Sequence, residues 1–420
     1  MFDGLWLSPF RKGLFEPIYC LLKNAPLRKY WKELEKTQFL TESELKNKQW
    51  QRVQSLLQYV WEHNVYYRSR FEAAGITPKM VRSPADMNRL PILTKDEIRQ
   101  KSPFMISRGF NKEDLLNFKT GGSTGKSLDV YITEDCSFSR VALARRHDRW
   151  AGWEVGEPIA AVWGNPYLPN SLKEKLKNWL ISPFIYLDTM SVNEDSVRKF
   201  ASEWQSVRPT LLFGHAHSIF ILAQYVQEFN ITNINPRGIL STSMMLMPHE
   251  RKFIEEVFGV KVIDRYGCEE VSLIASECER HEGMHLNIEH LFVEFVKDDG
   301  MAAAPGEAGK IIVTDLMNYA MPFIRYQVED IGVPSCKKCS CGRGLPLMES
   351  VTGRVADFLV KKDGSMVAGI SLIENTLTKI PGIQQMQIIQ DSIKEISLNL
   401  VVGSEYRQDQ ENELVEYFIE

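Results

Sequence analysis

No stretch of this 420-residue chain strings together the roughly 18 apolar residues that a membrane-crossing helix needs. No charge of one sign dominates either. Fifty Lys and Arg against 54 Asp and Glu leave a net charge of −4, which argues against a general nucleic-acid binder. Cysteine is scarce and odd in number: there are seven, three of them crowded into Cys336–Cys341. That excludes a disulfide framework and suits a reducing, cytoplasmic compartment and a metal site. Internal repeats and low-complexity tracts are absent. A signal-peptide layout is missing too, because Asp3 comes early and Pro9, Arg11 and Lys12 interrupt the apolar opening. Two readings of residues 1–24 stay open: a helix packed on the body or on a second subunit of an oligomer, or a peripheral contact with a membrane interface. With 44% hydrophobic and 25% charged residues, the chain can bury a large core in two or three domains.

What is present centres on Lys119–Ser127, KTGGSTGKS. Gly121, Gly122 and Gly125 let backbone N–H groups crowd an anion, and Thr120, Ser123 and Thr124 add hydroxyl donors beside Lys126. The string nearly matches a Walker A loop, but Thr120 stands where the first glycine belongs. A Walker A loop also opens a helix. Here Leu128-Asp129-Val130-Tyr131-Ile132 alternates, which predicts a strand over 128–133. A glycine-rich turn between two strands resembles the triphosphate loop of adenylate-forming enzymes, the acyl-CoA synthetase superfamily.

Residues 28–75 read as helical. Thr41 with Glu44 forms a capping box, Trp50, Val53, Leu56, Leu57, Val60 and Trp61 recur at helical spacing, and Gly75 ends the segment. Thr94 caps a short helix in LPILTKDEIRQ. A helix over 134–151 carries Arg140, Arg145, Arg146, His147 and Arg149, either a solvated face or a basic wall for an acidic substrate. Short apolar runs ending in glycine, EPIAAVWGN and PTLLFGHAHS, predict buried parallel strands with ligand loops at their ends, and RGILSTSMMLMPHE and VKVIDRYGCEEVS repeat the layout. From about residue 285, two-residue alternation predicts an antiparallel sheet. A small remainder follows the joint Gly353–Asp357, with a helix over 370–379, strands near 384–390 and 395–402, and a helix from about 407.

Three further strings carry chemistry. Tyr266–Glu270, YGCEE, sets an aromatic face, a tight glycine (Gly267) and two carboxylates within five residues. A tyrosine stacks on adenine and a carboxylate holds Mg²⁺ against phosphates. Asp330 can accept from two ribose hydroxyls, and Arg354 can meet ribose or phosphate, with Asp357 on the joint. Together, in this order, these strings resemble the phenylacetate–CoA ligase and CapK-like branch of the adenylate-forming enzymes over nearly the whole chain; VYYRSRFEAAGI and LPILTKDEIR look like that branch as well.

That resemblance implies an α/β fold. A large N-terminal adenylate-forming domain would occupy residues 1–354, with mixed β-sheets flanked by helices. It would include a helical lead-in over 1–75 and a β-rich part over 276–350. A small, incomplete C-terminal α+β domain would occupy 355–420. It also implies ATP-dependent formation of an acyl adenylate, then transfer to an amine or to coenzyme A. Carried over, Thr120, Gly121, Gly122, Ser123, Thr124, Gly125 and Lys126 hold the triphosphate, with Thr120 and Lys126 acting in catalysis. Tyr266 stacks on adenine next to Gly267, Glu270 binds Mg²⁺, Asp330 takes the ribose with Arg354 in support, and Asp357 is the hinge. Ser241–Ser243 match a loop bordering the nucleotide. Relatives present a catalytic lysine in a Gly-Lys setting near the C-terminus. Nothing after Gly403 offers one, so the expectation is a chain cut short of that loop or a lysine lost, which would leave a nucleotide-binding protein without ligase activity.

Cys278, His285, Cys339 and Cys341 supply the Cys₃His donors of a structural zinc site, with Cys336 and His281 as alternatives. Trp163, Asn165, Tyr167, His215 and His217, with Arg145 and Arg146, make a polar and aromatic pocket. It suits a charged acid, such as a sugar acid, better than a long acyl chain. CapK-like relatives are associated with surface polysaccharide synthesis, which implies acid activation for glycan decoration; an aryl acid–CoA ligase is the alternative.

Overall fold

The computed structural model describes residues 5–419 apart from 121–127, 164–170, 182, 190–191, 355–357, 361, 363–365, 369–375, 377–379, 381, 405 and 408. It begins with a helical run, α1 (Ser8–Phe10), a π-helical turn (Arg11–Phe15) and α2 (Glu16–Leu22), followed by α3 (Leu27–Thr37), α4 (Glu42–His63) and α5 (Val65–Ala73). The predicted capping box forms: the Thr41 side chain accepts from the Glu44 amide, and Glu44 reaches back to the Thr41 amide. The apolar stripe of α4 (Val53, Leu56, Leu57, Val60) is buried against Tyr67, Phe71 and Ile324. Each such side chain contributes about 1.5–3 kcal/mol.

Thr94 caps α6 (Lys95–Lys101), accepting from the Glu97 amide. Next comes an antiparallel hairpin of β1 (Leu116–Thr120) and β2 (Leu128–Ile132), with Thr120 opposite Leu128. A strand therefore follows the glycine-rich turn, where a Walker A loop would start a helix.

From α7 (Glu134–Trp150) onward the chain builds one mixed sheet of eleven strands. Its parallel part holds β3 (Ile159–Trp163), β4 (Phe184–Asp188), β5 (Leu211–His215), β6 (Gly238–Thr242) and β7 (Val262–Cys268). The connecting helices are α8 (Leu172–Leu180), α9 (Glu194–Val207), α10 (Ala216–Glu228) and α11 (Pro248–Phe258). The other part holds β8 (Ser272–Ser276), β9 (Met284–Leu286), β10 (Leu291–Val296), β11 (Gly309–Asp315), β12 (Tyr326–Pro334) and β13 (Leu347–Arg354). The order across the sheet is β10-β11-β12-β13-β9-β8-β7-β6-β5-β3-β4. Near-continuous apolar runs such as Ile159–Val162 are what a strand buried on both faces requires. They meet α9, α10 and α11 in a core that includes Val197, Phe200, Ile219, Leu222 and Ile254.

The chain divides into two compact units, residues 1–328 with 332–350 and residues 329–331 with 351–420. Within the second are the two-stranded sheets β14 (Phe358–Val360) with β15 (Met366–Ala368) and β16 (Ile383–Ser392) with β17 (Glu395–Val402), and helix α12 (Gln410–Ile419). Ile380, Ile383 and Leu414 form its buried core. The helix expected over 370–379 falls almost wholly outside the described residues. Among the described residues no helix is long and apolar enough to cross a membrane.

Candidate active site and metal centre

The register of the parallel strands aligns side chains at their carboxyl ends. Val162 is level with Gly214, His215 with Thr242, and Thr242 with Arg265. Trp163, His215 and Thr242 thus end three neighbouring strands in one row, level with Arg265 of β7 and one residue before Tyr266, at the edge where open α/β sheets bind ligands. Gly214 lets β3 and β5 lie close, since a Cβ there would stand 2.6 Å from the Val162 carbonyl oxygen. The Trp163 ring lies 3.8 Å from the His215 ring and stacks on Phe213 at 5.4 Å, and the Arg265 guanidinium covers Phe213 at 5.0 Å. Burial holds the His215 pKa below its ordinary value, so that ring is neutral at pH 7. Ser243, just past β6, has φ 66°, a left-handed turn that a non-glycine residue rarely takes.

Tyr266 and Gly267 straddle an irregularity in the β7–β8 pairing. A Cβ at Gly267 would come within 2.6 Å of the Ser272 oxygen, so the strands can approach only with glycine there. The turn they make carries Glu270, which is buried. Its Oε1 accepts from the Tyr326 hydroxyl at 2.9 Å and lies 3.8 Å from Lys95 Nζ. Arg140 donates to the Glu270 carbonyl at 3.1 Å and to Asp315 Oδ2 at 2.8 Å. Burial opposes the Arg140 charge most strongly, but Asp315 together with Cys136 and Cys268 reverses it and the pKa rises. Lys95 arrives because the Leu90–Leu93 segment is tied to β12. The Arg325 side chain donates to the carbonyls of Asn88 and Leu90, the Leu93 amide donates to the Arg325 carbonyl just before β12, and the Gln327 amide of β12 donates to the Leu93 carbonyl. Sequence reasoning passed over Lys95 and Tyr326; the only signal was the family likeness of LPILTKDEIR.

Behind the row, Ser241 donates to Asp264 Oδ1 at 2.9 Å. Burial and then the nearby Glu277 push the Asp264 pKa up to about 7. Burial pushes Glu277 upward as well, but His281, Arg251 and the Asp264 amide more than reverse it.

Arg145 and Arg146 do not reach the strand-end row. Arg145 pairs with buried Glu16 of α2, and fully buried Arg146 pairs with Glu289 at 2.7 Å and donates to Asn287. Arg149 pairs with Glu35 and Glu154. The basic face of α7 is neither solvated nor a substrate wall; it joins the N-terminal helices to the sheet. Burial, then Arg146 and Arg265, drive the His147 pKa well down, so it sits neutral and donates Nε2–H to Asn287. His217 faces α11, with Nδ1 2.7 Å from Glu250 Oε1. Asp330 lies in β12 within the segment that groups with the second unit, directly after Glu329, whose φ is 76°. The side chains of Thr120 and Arg354, and residues Gly121–Ser127, Asn165, Tyr167 and Asp357, lie outside the described residues.

A second cluster gathers on the antiparallel side. One donor atom from each of Cys278, His285, Cys339 and Cys341 lies within 4.8 Å of the others. Cys278 Sγ is 3.6 Å from Cys339 Sγ, and Cys341 Sγ is 3.4 Å from His285 Nε2. His285 Nδ1 faces the Leu345 carbonyl at 3.3 Å, which fixes the tautomer and turns Nε2 toward the thiols. Burial drives the His285 pKa down to about 4, leaving it neutral as a metal ligand must be. This donor set matches a closed four-ligand site. Exposed Cys336 and His281, which faces Glu277 at 3.5 Å, stand apart from it.

Residues 359–420 match the CapK C-terminal domain family. The chain is 26% identical to a phenylacetate–coenzyme A ligase of Thermus thermophilus over 341 residues, covering 79% of this chain and 74% of that protein. It is 22% identical to Protein CapK of Staphylococcus aureus over 396 residues, covering 91% and 84%. Among solved structures it superposes on 2-hydroxyisobutyryl-CoA ligase in a postadenylation state with R3-HIB-AMP, at a TM-score of 0.73 and 18% identity, over 91% of this chain and 84% of that one. In fold the chain is like these ligases, and in sequence it resembles the phenylacetate–CoA ligases and CapK along most of its length.

Proposed function

We propose that this chain is an AMP-forming carboxylate ligase. An oxygen of the substrate carboxylate attacks the α-phosphorus of ATP, and the bond to the bridging oxygen breaks to release pyrophosphate. The thiol of coenzyme A then attacks the acyl carbonyl and AMP leaves with the bonding pair. The observation that carries this reading is the row Trp163–His215–Thr242 at the carboxyl edge of the parallel sheet, with Tyr266 on the neighbouring strand one residue past the row and buried Glu270 in the turn that follows. On this reading, which follows the family resemblance residue by residue, Tyr266 stacks on adenine, Thr120–Lys126 grip the phosphates, Asp330 and Arg354 hold the ribose, Ser243 borders the nucleotide and Asp357 is the hinge. Trp163, Asn165, His215 and His217 would receive the acid. Glu270 would hold Mg²⁺, which neutralises phosphate charge when bound. Tyr326 orients the Glu270 carboxylate and Lys95 adds a cation beside it. Binding here aligns carboxylate and phosphate, and fixed charge stabilises what develops between them. Cys278, His285, Cys339 and Cys341 would hold a structural zinc ion that clamps the 335–346 loop to β8 and β9.

The match of residues 359–420 to the CapK C-terminal domain favours a second reading of the acceptor, an amine or sugar-linked group in surface polysaccharide decoration. ATP–pyrophosphate exchange over a panel of aryl, small hydroxy and sugar acids tests the first step. Thioester or amide formation from the active acid then separates the acceptors. Nucleotide binding without exchange on any acid would overturn the ligase reading.

A further inference from the structure

The N-terminal helical run is built inside out. Its polar side chains turn inward: Arg11, fully buried, donates to the carbonyls of Gly156 and Trp179, and Glu16 pairs with Arg145. Its apolar side chains turn to water. Trp6, Phe10, Leu14, Ile18 and Leu22 recur every four residues and are all exposed, and Leu21 and Leu22 are 82% and 80% exposed. Helix α8 does the same beside it: it buries no residue, and Leu172 (87% exposed), Leu176 and Trp179 form its outward stripe. The two elements share an apolar groove of about 770 Å³ between Phe15, Ile18, Tyr19, Leu176 and Leu180. Evolution keeps contiguous exposed apolar surface of this kind for a partner or a membrane.

Charge selects the occupant. Lys23, Lys173 and Lys177 line this groove, exposed Lys175 lies on the same short helix, and Lys12 on the helical run pairs with Glu154, in a chain whose net charge is −4. Lys177 lies over the Tyr19 ring at 5.3 Å. Glu174 opposes them, and it also serves in the Ser171 capping box of α8. A two-fold contact between copies of this chain would set the lysine rim against itself. A bilayer with acidic headgroups instead offers hydrocarbon to the leucines, an interface to Trp6 and Trp179, and counter-charge to the lysines. We propose that the helical run 6–22 and helix α8 together form a peripheral docking face for membranes containing anionic phospholipid. This inference does not depend on the ligase reading.

Co-sedimentation of the full chain with phosphatidylcholine vesicles, with and without phosphatidylglycerol, tests it. Binding to the anionic vesicles that is lost on the neutral ones and weakened by added salt is the expected result. Leu21→Asp/Leu22→Asp should weaken binding by at least about tenfold. Lys173→Glu/Lys177→Glu should weaken it by about fivefold per lysine or more. These side chains are solvent-facing, and unchanged melting curves will show that the variants fold. No sedimentation with either vesicle, or equal sedimentation with both, overturns the proposal. So does a dimer in gel filtration that Leu21→Asp/Leu22→Asp converts to monomer while vesicles go unbound.

Discussion

Tyr326 donates its hydroxyl to Glu270 at 2.9 Å, joining the first residue of β12 to the carboxylate in the β7–β8 turn. With Lys95 Nζ 3.8 Å from the same oxygen, the carboxylate is aimed before any ligand arrives. Glu270→Gln should lower pyrophosphate exchange by about 100-fold or more, the scale of losing a charged group in a transition state. Tyr326→Phe removes one hydrogen bond to a carboxylate and should cost about tenfold. It should also raise the Mg²⁺ concentration needed for half-maximal exchange. A Tyr326→Phe enzyme with an unaltered Mg²⁺ dependence would detach the tyrosine from this role.

Trp163→Ala opens the face on which His215 and Phe213 stack. The Michaelis constant for the acid should rise about tenfold, the worth of one desolvated aromatic contact, with a smaller change for ATP. Equal changes for both substrates would remove Trp163 from the acid pocket.

Arg145→Ala leaves Glu16 buried without its partner. A loss of about 3 kcal/mol of stability in denaturant titration is expected, with the ranking of acids unchanged. A changed ranking would return Arg145 to the substrate.

The four-donor cluster predicts a single zinc per chain by elemental analysis. Cys339→Ser should abolish it and cost at least about 3 kcal/mol, a fraction of what structural zinc sites contribute. Cys336→Ser should retain the metal, because that thiol stands outside the cluster.

Asp264 carries its proton in the folded chain up to about pH 7, whereas the unfolded chain releases it near 3.8. Across that window the unfolded state binds fewer protons, so this group's contribution to stability falls as pH rises from about 4 to 7. Asp264→Asn should remove the slope and gain on the wild type by about 2 kcal/mol between pH 5 and pH 8. Glu277, which adds to the rise, keeps its own partners Arg251 and His281 in both chains. Parallel stability curves would refute the raised pKa.

Much of the architecture was legible because it is written locally. Thr41 and Glu44, Thr94, and the alternation of Leu128–Ile132 specify their caps and strand within a few residues. The four donors of the metal cluster could be picked out by residue type, since three thiols within six positions have few other uses. The α7 arginines could not be read so. Helical spacing says which residues share a face, but only the packed structure shows that Glu16, Glu35, Glu289 and Asp315 come to meet them. Nor can a sequence align Trp163 with His215 and Thr242, because that depends on the register of strands about 25 to 50 residues apart. Lys95 and Tyr326 were hidden for the same reason: each looks ordinary until the Leu93–β12 bridge brings it to Glu270.

The protein sorts its cations into two populations. Arg140, Arg145 and Arg146 are spent on partners withdrawn from water, where dissolved ions scarcely reach them. The lysines on the outer leucine-rich face stand in the open, where a Debye length of about 8 Å governs their reach. A medium several times more saline should therefore loosen the hold proposed for that face on a charged surface while leaving the folded body intact.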